Sequence, residues 1–186
     1  MSHSLNLRLA RNPIGRYPFV GLSLVLLLVS GCMAKESEML GAPVEGYNHT
    51  SAAINRFTVN GAGGPNLGPY GGGGGQVCCG SVPRHWRPGL RAIVEWEKDP
   101  NPRGYGSWPE RPYSDAWNKR MDEHRSHYTR HRVVVEIPQY DRPGPLKVHF
   151  LPCDQVRVTA AGVLPSHPDY PYNFPRKMED TECPKP

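Results

Sequence analysis

This 186-residue chain carries eight histidines and five cysteines, side chains that ligate metals or act as nucleophiles, and three of the histidines fall close together. His124, His127 and His131 stand at i, i+3 and i+7, which on a helix places all three near one face, a spacing compatible with a metal ion. The stretch Arg125-Ser126-His127-Tyr128-Thr129-Arg130 around them is polar and basic, so it repels a cation. No His-Glu-x-x-His arrangement is present to add a general base, and the pattern reads as a solvated face. Hydrolytic chemistry finds no firmer footing. There is no Gly-x-Ser-x-Gly elbow, and Ser81, His85 and Asp99 are too scattered in sequence to assert a triad. The run Gly71 to Gly75 lacks the Lys and Ser/Thr of a phosphate loop and leads into Gln76-Val77-Cys78-Cys79, so it is expected to be a flexible connection. No catalytic residue, cofactor or metal is assigned.

Cys32 has a different context from the other cysteines. Arg8, Arg11 and Arg16 form a basic segment ahead of an apolar run from Phe19 to Val29. A helix of that length rises roughly 16 Å against about 30 Å of hydrocarbon, too short for a stable span and suited to a signal-peptide core. Val29-Ser30-Gly31-Cys32 then resembles the lipobox of bacterial lipoproteins. The resemblance implies that residues 1–31 are removed and that Cys32 is the lipid attachment site. At roughly 0.8 kcal/mol per buried methylene, two or three acyl chains would hold the chain on a membrane essentially permanently. The expected location is the periplasmic face, with Met33 after the cysteine favouring the outer membrane over the inner. Residues 32–43 read as a tether, and a single domain is expected over residues 44–186.

Cleavage before Cys32 removes three arginines and no acidic residue, taking the formal charge from +5 to +2. The basicity thus belongs largely to the export signal, and no clustered basic module argues for nucleic acid. Export also permits disulfides, and Cys78, Cys79, Cys153 and Cys183 are the candidates. Neighbours on a strand point to opposite faces, which disfavours a bond between Cys78 and Cys79. The two remaining connectivities tie the glycine-rich middle to Cys153 and Cys183 through loops of roughly 75 to 105 residues. A four-thiolate metal site would need two pairs with short spacers, which are missing.

The elements that must position these groups are short. Twenty glycines and 21 prolines argue against a helical bundle, and 38% hydrophobic residues suffice for one core. Segments of β-branched and aromatic character recur at Val44 to Tyr47, Ile54 to Val59, Gln76 to Val82, Leu90 to Glu97, Arg132 to Ile137, Leu146 to Leu151 and Gln155 to Thr159. They predict a mainly β fold, a single antiparallel sandwich or barrel-like domain with long Gly/Pro-rich loops and an irregular tail from about 161. The evenly apolar Arg132 to Ile137 run is expected at a sheet centre. One helix is predicted from Ser114 to about His131, with Ser114 as cap and Asp115 at the positive end of the dipole.

Several stretches taken together resemble a known family. They are Gly46-Tyr47-Asn48-His49-Thr50, Val59-Asn60-Gly61-Ala62-Gly63-Gly64, the glycine run through Gly75, Val77-Cys78-Cys79, Pro83-Arg84-His85-Trp86-Arg87-Pro88-Gly89-Leu90 and Val94-Glu95-Trp96. The likeness is to proteobacterial lipoproteins of unassigned domain type, encoded beside type VI secretion phospholipase effectors, and most of all to the immunity lipoproteins of the third lipase class. It covers roughly residues 44 to 160. It implies a cognate phospholipase effector as partner, no enzymatic activity, and no catalytic residues to carry over.

A binding surface is expected on the proline-punctuated loop from Asp99 to Tyr113, where Tyr105, Trp108 and Tyr113 interleave with Arg103 and Arg111. Aromatic and arginine side chains dominate binding hot spots because they bury large areas at little entropic cost. Arg84, His85, Trp86 and Arg87 form a second candidate patch, with Trp86 favouring the core. The function so read is a membrane-anchored immunity lipoprotein that neutralises a secreted phospholipase. The alternatives are a structural or assembly lipoprotein of the envelope and, third, a metal enzyme using His124, His127 and His131.

Overall fold

The computed structural model describes residues 37–178 and residue 183. Eight strands form two four-stranded sheets that pack face to face around one core, as the sandwich reading predicts. They are β1 (Met39–Asn48), β2 (Ala53–Val59), β3 (Ala62–Gly63), β4 (Gly72–Pro83), β5 (Arg91–Asp99), β6 (Thr129–Glu136), β7 (Pro143–Leu151) and β8 (Gln155–Ala161). The first sheet has the order β4-β1-β7-β8 and the second β3-β2-β5-β6. Among the described residues one α-helix, α1 (Asp115–Ser126), sits between β5 and β6.

Alternation in sequence sets the inward faces. Ala92, Val94 and Trp96 of β5 are buried while Arg91 and Glu95 are exposed, the period of a half-buried strand. Val44 of β1, Leu146, Val148 and Phe150 of β7, and Val156 and Val158 of β8 face them from the first sheet. Phe150 stands edge-on to Phe57 and Trp96 with ring centroids 5.1 and 5.8 Å apart, stitching the sheets together. Such pairs add about 0.5–1.5 kcal/mol each beyond their burial.

The structure corrects the sequence reading at five places. One pairing is parallel: β1 runs beside β7, with Val44 opposite Leu146 and Asn48 opposite Phe150. The long chain between them allows the crossover that parallel strands need. β1 begins at Met39, so Met39 to Pro43 belong to the domain rather than to a tether, paired with the end of β4 from Met39 opposite Pro83. The glycine run is not a loose connection but the start of β4. A Cβ on Gly72, which has φ +127°, would lie 2.2 Å from the Gly46 carbonyl oxygen, so only glycine lets β4 close onto β1 there. β6 is an edge strand, not a central one: Arg132, Val134 and Glu136 point to solvent and Val133 and Val135 inward, so its even apolarity hid an alternation.

The helix is the fifth correction. It starts as predicted, with Ser114 Oγ accepting from the Trp117 N–H at 3.2 Å and Asp115 in the first turn. It stops at Ser126 instead of about His131, because Thr129 onward pairs with β5, Thr129 opposite Lys98.

Candidate functional site

The segment between β5 and β6 is braced from beneath. Buried Asp99 accepts the Asn101 N–H at 2.8 Å through one carboxylate oxygen, and the other lies 3.1 Å from Nε2 of His124, itself nearly buried. Trp108 meets His124 and Trp117 edge-on at 5.7 and 6.0 Å, and the Arg120 guanidinium stands 5.9 Å over it while pairing with Glu110 at 2.7 Å. Of the expected contact residues, Trp108 is half-buried in this brace, whereas Arg103 and Arg111 are exposed. Tyr105 is 53% and Tyr113 83% exposed. Tyr113 also leans on Trp117 at 5.2 Å. The brace holds two tyrosines and two arginines outward on a fixed base. The sequence reading missed Asp99 and His124 as its pins, and Trp117, Arg120 and Glu110 as its packing, since nothing in sequence couples these positions to the loop.

The three histidines of the metal pattern separate. His124 goes to Asp99, His127 is the exposed C-cap residue of α1, and His131 on β6 stacks on Trp96 at 4.9 Å and bonds Thr129 Oγ1 at 2.7 Å. Burial lowers the pKa of His131, opposed by nearby Asp154. Among the described residues no three His, Cys, Asp or Glu side chains are grouped to hold a metal ion. Arg84 to Arg87 lie at the end of the sandwich where β1 begins. There the Arg84 N–H donates to the Glu38 carbonyl at 2.8 Å, and Trp86 Nε1 donates to the Ile137 carbonyl at 2.9 Å.

Cys32 lies outside the described residues. Cys153 in the β7–β8 turn is bonded to Cys183, with Cα atoms 5.3 Å apart, and Cys78 is bonded to Cys79. The expected ties from the glycine-rich middle to Cys153 and Cys183 are therefore replaced. The fold brings the β7–β8 turn and residue 183 together, so Cys153 takes Cys183 as its partner.

A second cluster escaped the sequence reading altogether. On the first sheet's outer face, β1 presents Glu45, Tyr47 and His49 and β7 presents Lys147 and His149, and all but half-buried Tyr47 are buried. The C-terminal segment, residues 162–178, covers them as a strap. His49 Nδ1 lies 2.7 Å from the Pro175 carbonyl oxygen, His49 Nε2 lies 2.9 Å from His149 Nδ1, and His149 Nε2 lies 2.6 Å from the Tyr170 hydroxyl. A carbonyl only accepts, so His49 carries its proton on Nδ1 and accepts on Nε2. His149 must then donate from Nδ1, and Tyr170 donates to His149 Nε2. Both imidazoles are neutral in this pattern. Burial lowers both pKa values, that of His149 to about 3, with His49 and the Lys147 charge as further causes.

The neighbours are paired as well. Glu45 accepts from Tyr47 at 2.9 Å and from Gln76, and Lys147 donates to the Ala161 carbonyl at 2.9 Å. Burial lowers the Lys147 pKa, opposed by Glu45. The hydrogen-bond chain ends on the Pro175 peptide carbonyl and ties the strap to the sheet. The available signal was strand alternation: Glu45, Tyr47 and His49 on one strand, Lys147 and His149 on another, with polar side chains two residues apart.

Asn48, in the Gly46 to Thr50 motif, explains how this end is built. Its Nδ2 donates to the Ala52 and Gly68 carbonyls at 2.7 and 2.9 Å, and its Oδ1 accepts from the Thr50 N–H and hydroxyl at 3.1 and 2.9 Å. One buried amide thereby fixes two loops.

Comparison with known proteins adds one finding. A family described as proteins of unknown function, DUF3304, matches residues 47–158, from Tyr47 through the braced segment to Val158, short of the strap. No curated protein and no solved structure matches the chain.

Proposed function

Since this chain belongs to the DUF3304 family of proteins of unknown function, we propose from its own residues that it is a lipid-anchored binding protein of the bacterial envelope that neutralises a secreted phospholipase. The observation that carries the reading is the braced segment, which holds Arg103, Tyr105, Arg111 and Tyr113 in solvent on a base of packed aromatic rings. Rigid aromatic side chains enter an interface with little freedom left to lose, which is what a tight inhibitor requires.

Three further features support it. The lipobox-like Val29-Ser30-Gly31-Cys32 provides retention where an incoming lipase acts. No helix among the described residues is long and apolar enough to cross a membrane. The Cys153–Cys183 bond suits an oxidising compartment. Inhibition on this account is steric, through covering the lipase's substrate entrance or holding the element that opens it.

The test is expression of the proposed cognate phospholipase with a periplasmic signal, with and without the protein. Survival of cells that carry both is expected. Lysis of both cultures would overturn the reading, and recovery of the protein only with other envelope components would favour the assembly role instead.

A further inference from the structure

Two sheets leave four edges, and shortness, bulges, prolines and occupied backbone groups blunt an edge against further strands. Three of the four are blunted in this way. β3 is two residues long. β4 breaks its register with β1 twice, between Ala42 and Val44 and between Glu45 and Tyr47, and ends on Pro83. On β8 the carbonyls of Val156 and Val158 already accept from Arg157 Nη1 at 2.9 Å and from the Tyr172 hydroxyl at 3.0 Å. The fourth edge is β6. It pairs with β5 from Thr129 to Glu136 without a register shift, contains neither glycine nor proline, and has no partner strand on its other side among the described residues.

The backbone groups that face this open side follow from the ladder. The Ile137 N–H donates to the Leu90 carbonyl at 2.9 Å, so Ile137 faces β5, and alternation turns Val135, Val133 and His131 the same way. Arg130, Arg132, Val134 and Glu136 therefore present their N–H and C=O groups to the open side, with their side chains on the outer face of the sheet. Both arginines are drawn back over that face, Arg130 by Glu97 and Arg132 by Glu95, each at 3.1 Å. Val133 and Val135 on the inner face are only half-buried and Val134 is 51% exposed, so a further strand would also cover apolar surface.

The strand is complementary to itself. Antiparallel pairing about a two-fold axis through Val133 would set Arg130 against Glu136 of a second copy, Arg132 against Val134, and Val133 against Val133. Each of the four open residues would then meet another of the four, and all would exchange hydrogen bonds. The outer face would gain a continuous row. Arg56 stands beside Glu97 and Glu97 beside Arg130 in one copy, and Glu136 beside Arg91 in the other. Across the seam the row reads Arg56, Glu97, Arg130, Glu136, Arg91, alternating in charge throughout, and opposite charges on facing strands are stabilising. Other registers are worse. A slip of two residues one way sets Arg132 against Arg132, the other way sets Arg130 against Pro138, which has no N–H, and a slip of one turns every side chain to the wrong face.

We propose that two copies of this chain join edge to edge through β6, forming one eight-stranded sheet across a two-fold axis. The pairing does not depend on the identity of any other partner. A single strand edge is smaller than a standard interface of roughly 800 Å² per partner, so the association is expected to depend on concentration.

The full chain with Cys32→Ser, so that neither an acyl chain nor a free thiol at that position contributes, provides the test. Val133→Cys meets itself at the axis with Cβ atoms about 4.5–5.5 Å apart, and mild oxidation is expected to give a covalent dimer on non-reducing electrophoresis. Val134→Cys, which faces Arg132, is expected to stay uncoupled. In sedimentation the chain without an added cysteine is expected to pass from monomer to dimer as concentration rises. Val134→Pro removes an N–H from the open side and none from the β5 ladder, and is expected to weaken the association at least about tenfold. Should that variant fail to fold, the cross-link at residue 133 decides. A chain still monomeric at about 1 mM, coupling of Val134→Cys in place of Val133→Cys, or undiminished association of a folded Val134→Pro chain would each overturn the proposal.

Discussion

The two outer faces of the sandwich are both polar, and they solve the problem of polarity in opposite ways. On the first sheet the strap covers Glu45, His49, Lys147 and His149, each held by its own hydrogen bonds: Glu45 from Tyr47, His49 to His149 and on to Tyr170, and Lys147 to the Ala161 carbonyl. The second sheet's outer face is open. Glu97 there receives Arg56 at 2.8 Å and Arg130 at 3.1 Å, and Glu95 receives Arg132 at 3.1 Å. Burial pushes the Glu97 pKa up, but the hydrogen bonds and charges of Arg130 and Arg56 outweigh it and hold it below the usual value.

Water explains the division. An exposed ion pair gains only about 0.2–1 kcal/mol and can be broken cheaply. A buried polar group left without a partner costs about 1–3 kcal/mol, so the covered face tolerates no loose end. Damage should therefore be graded, severe under the strap and slight on the ladder.

Breaking the covered face from its covalent end is expected to give the largest change. The Cys153–Cys183 bond closes a loop of 30 residues. Cys183→Ser should therefore destabilise the domain by about 3–4 kcal/mol in urea denaturation, on the loop-entropy relation. An unchanged midpoint would place the strap outside the cooperative unit and dissolve the contrast between the faces. Acidification comes next: burial depresses the His149 pKa to about 3, so the domain is expected to lose about 2 kcal/mol of stability between pH 7 and pH 5, read as a lower urea midpoint, and a midpoint that ignores pH would contradict the neutral burial of this imidazole.

The open face should give the smallest effect. Glu97→Gln removes the negative charge that pairs with two exposed arginines and is expected to cost no more than about 1 kcal/mol, shrinking further in molar salt. A loss of several kcal/mol there would mean that the ladder is structural rather than solvated.

Much of this fold was legible in the chain. All seven segments chosen for β-branched and aromatic character became strands, because alternation survives as a local signal. Glycine has no side chain to alternate, so Gly72 to Gly75 gave no sign of β4. The helix overran because His127 to His131 are as polar as α1 itself, and only pairing with β5 marks the end. His49 and His149 are 100 residues apart and meet through the parallel β1–β7 pairing, which no local pattern announces. The exposed tyrosines and arginines of the braced segment could be named from type and spacing. Their support could not, since it rests on Asp99 and His124 meeting across 25 residues.

The claim at the centre of the account is that this segment is the contact surface. The affinity of the purified protein for its proposed phospholipase partner, measured by calorimetry with Tyr105 and Tyr113 replaced together by alanine, tests it most directly. Two exposed aromatic anchors are expected to contribute at least about 2 kcal/mol together, a weakening of roughly thirtyfold or more, while Arg56→Ala on the ladder leaves the affinity unchanged. Equal affinity of the double variant and the wild type would contradict the account.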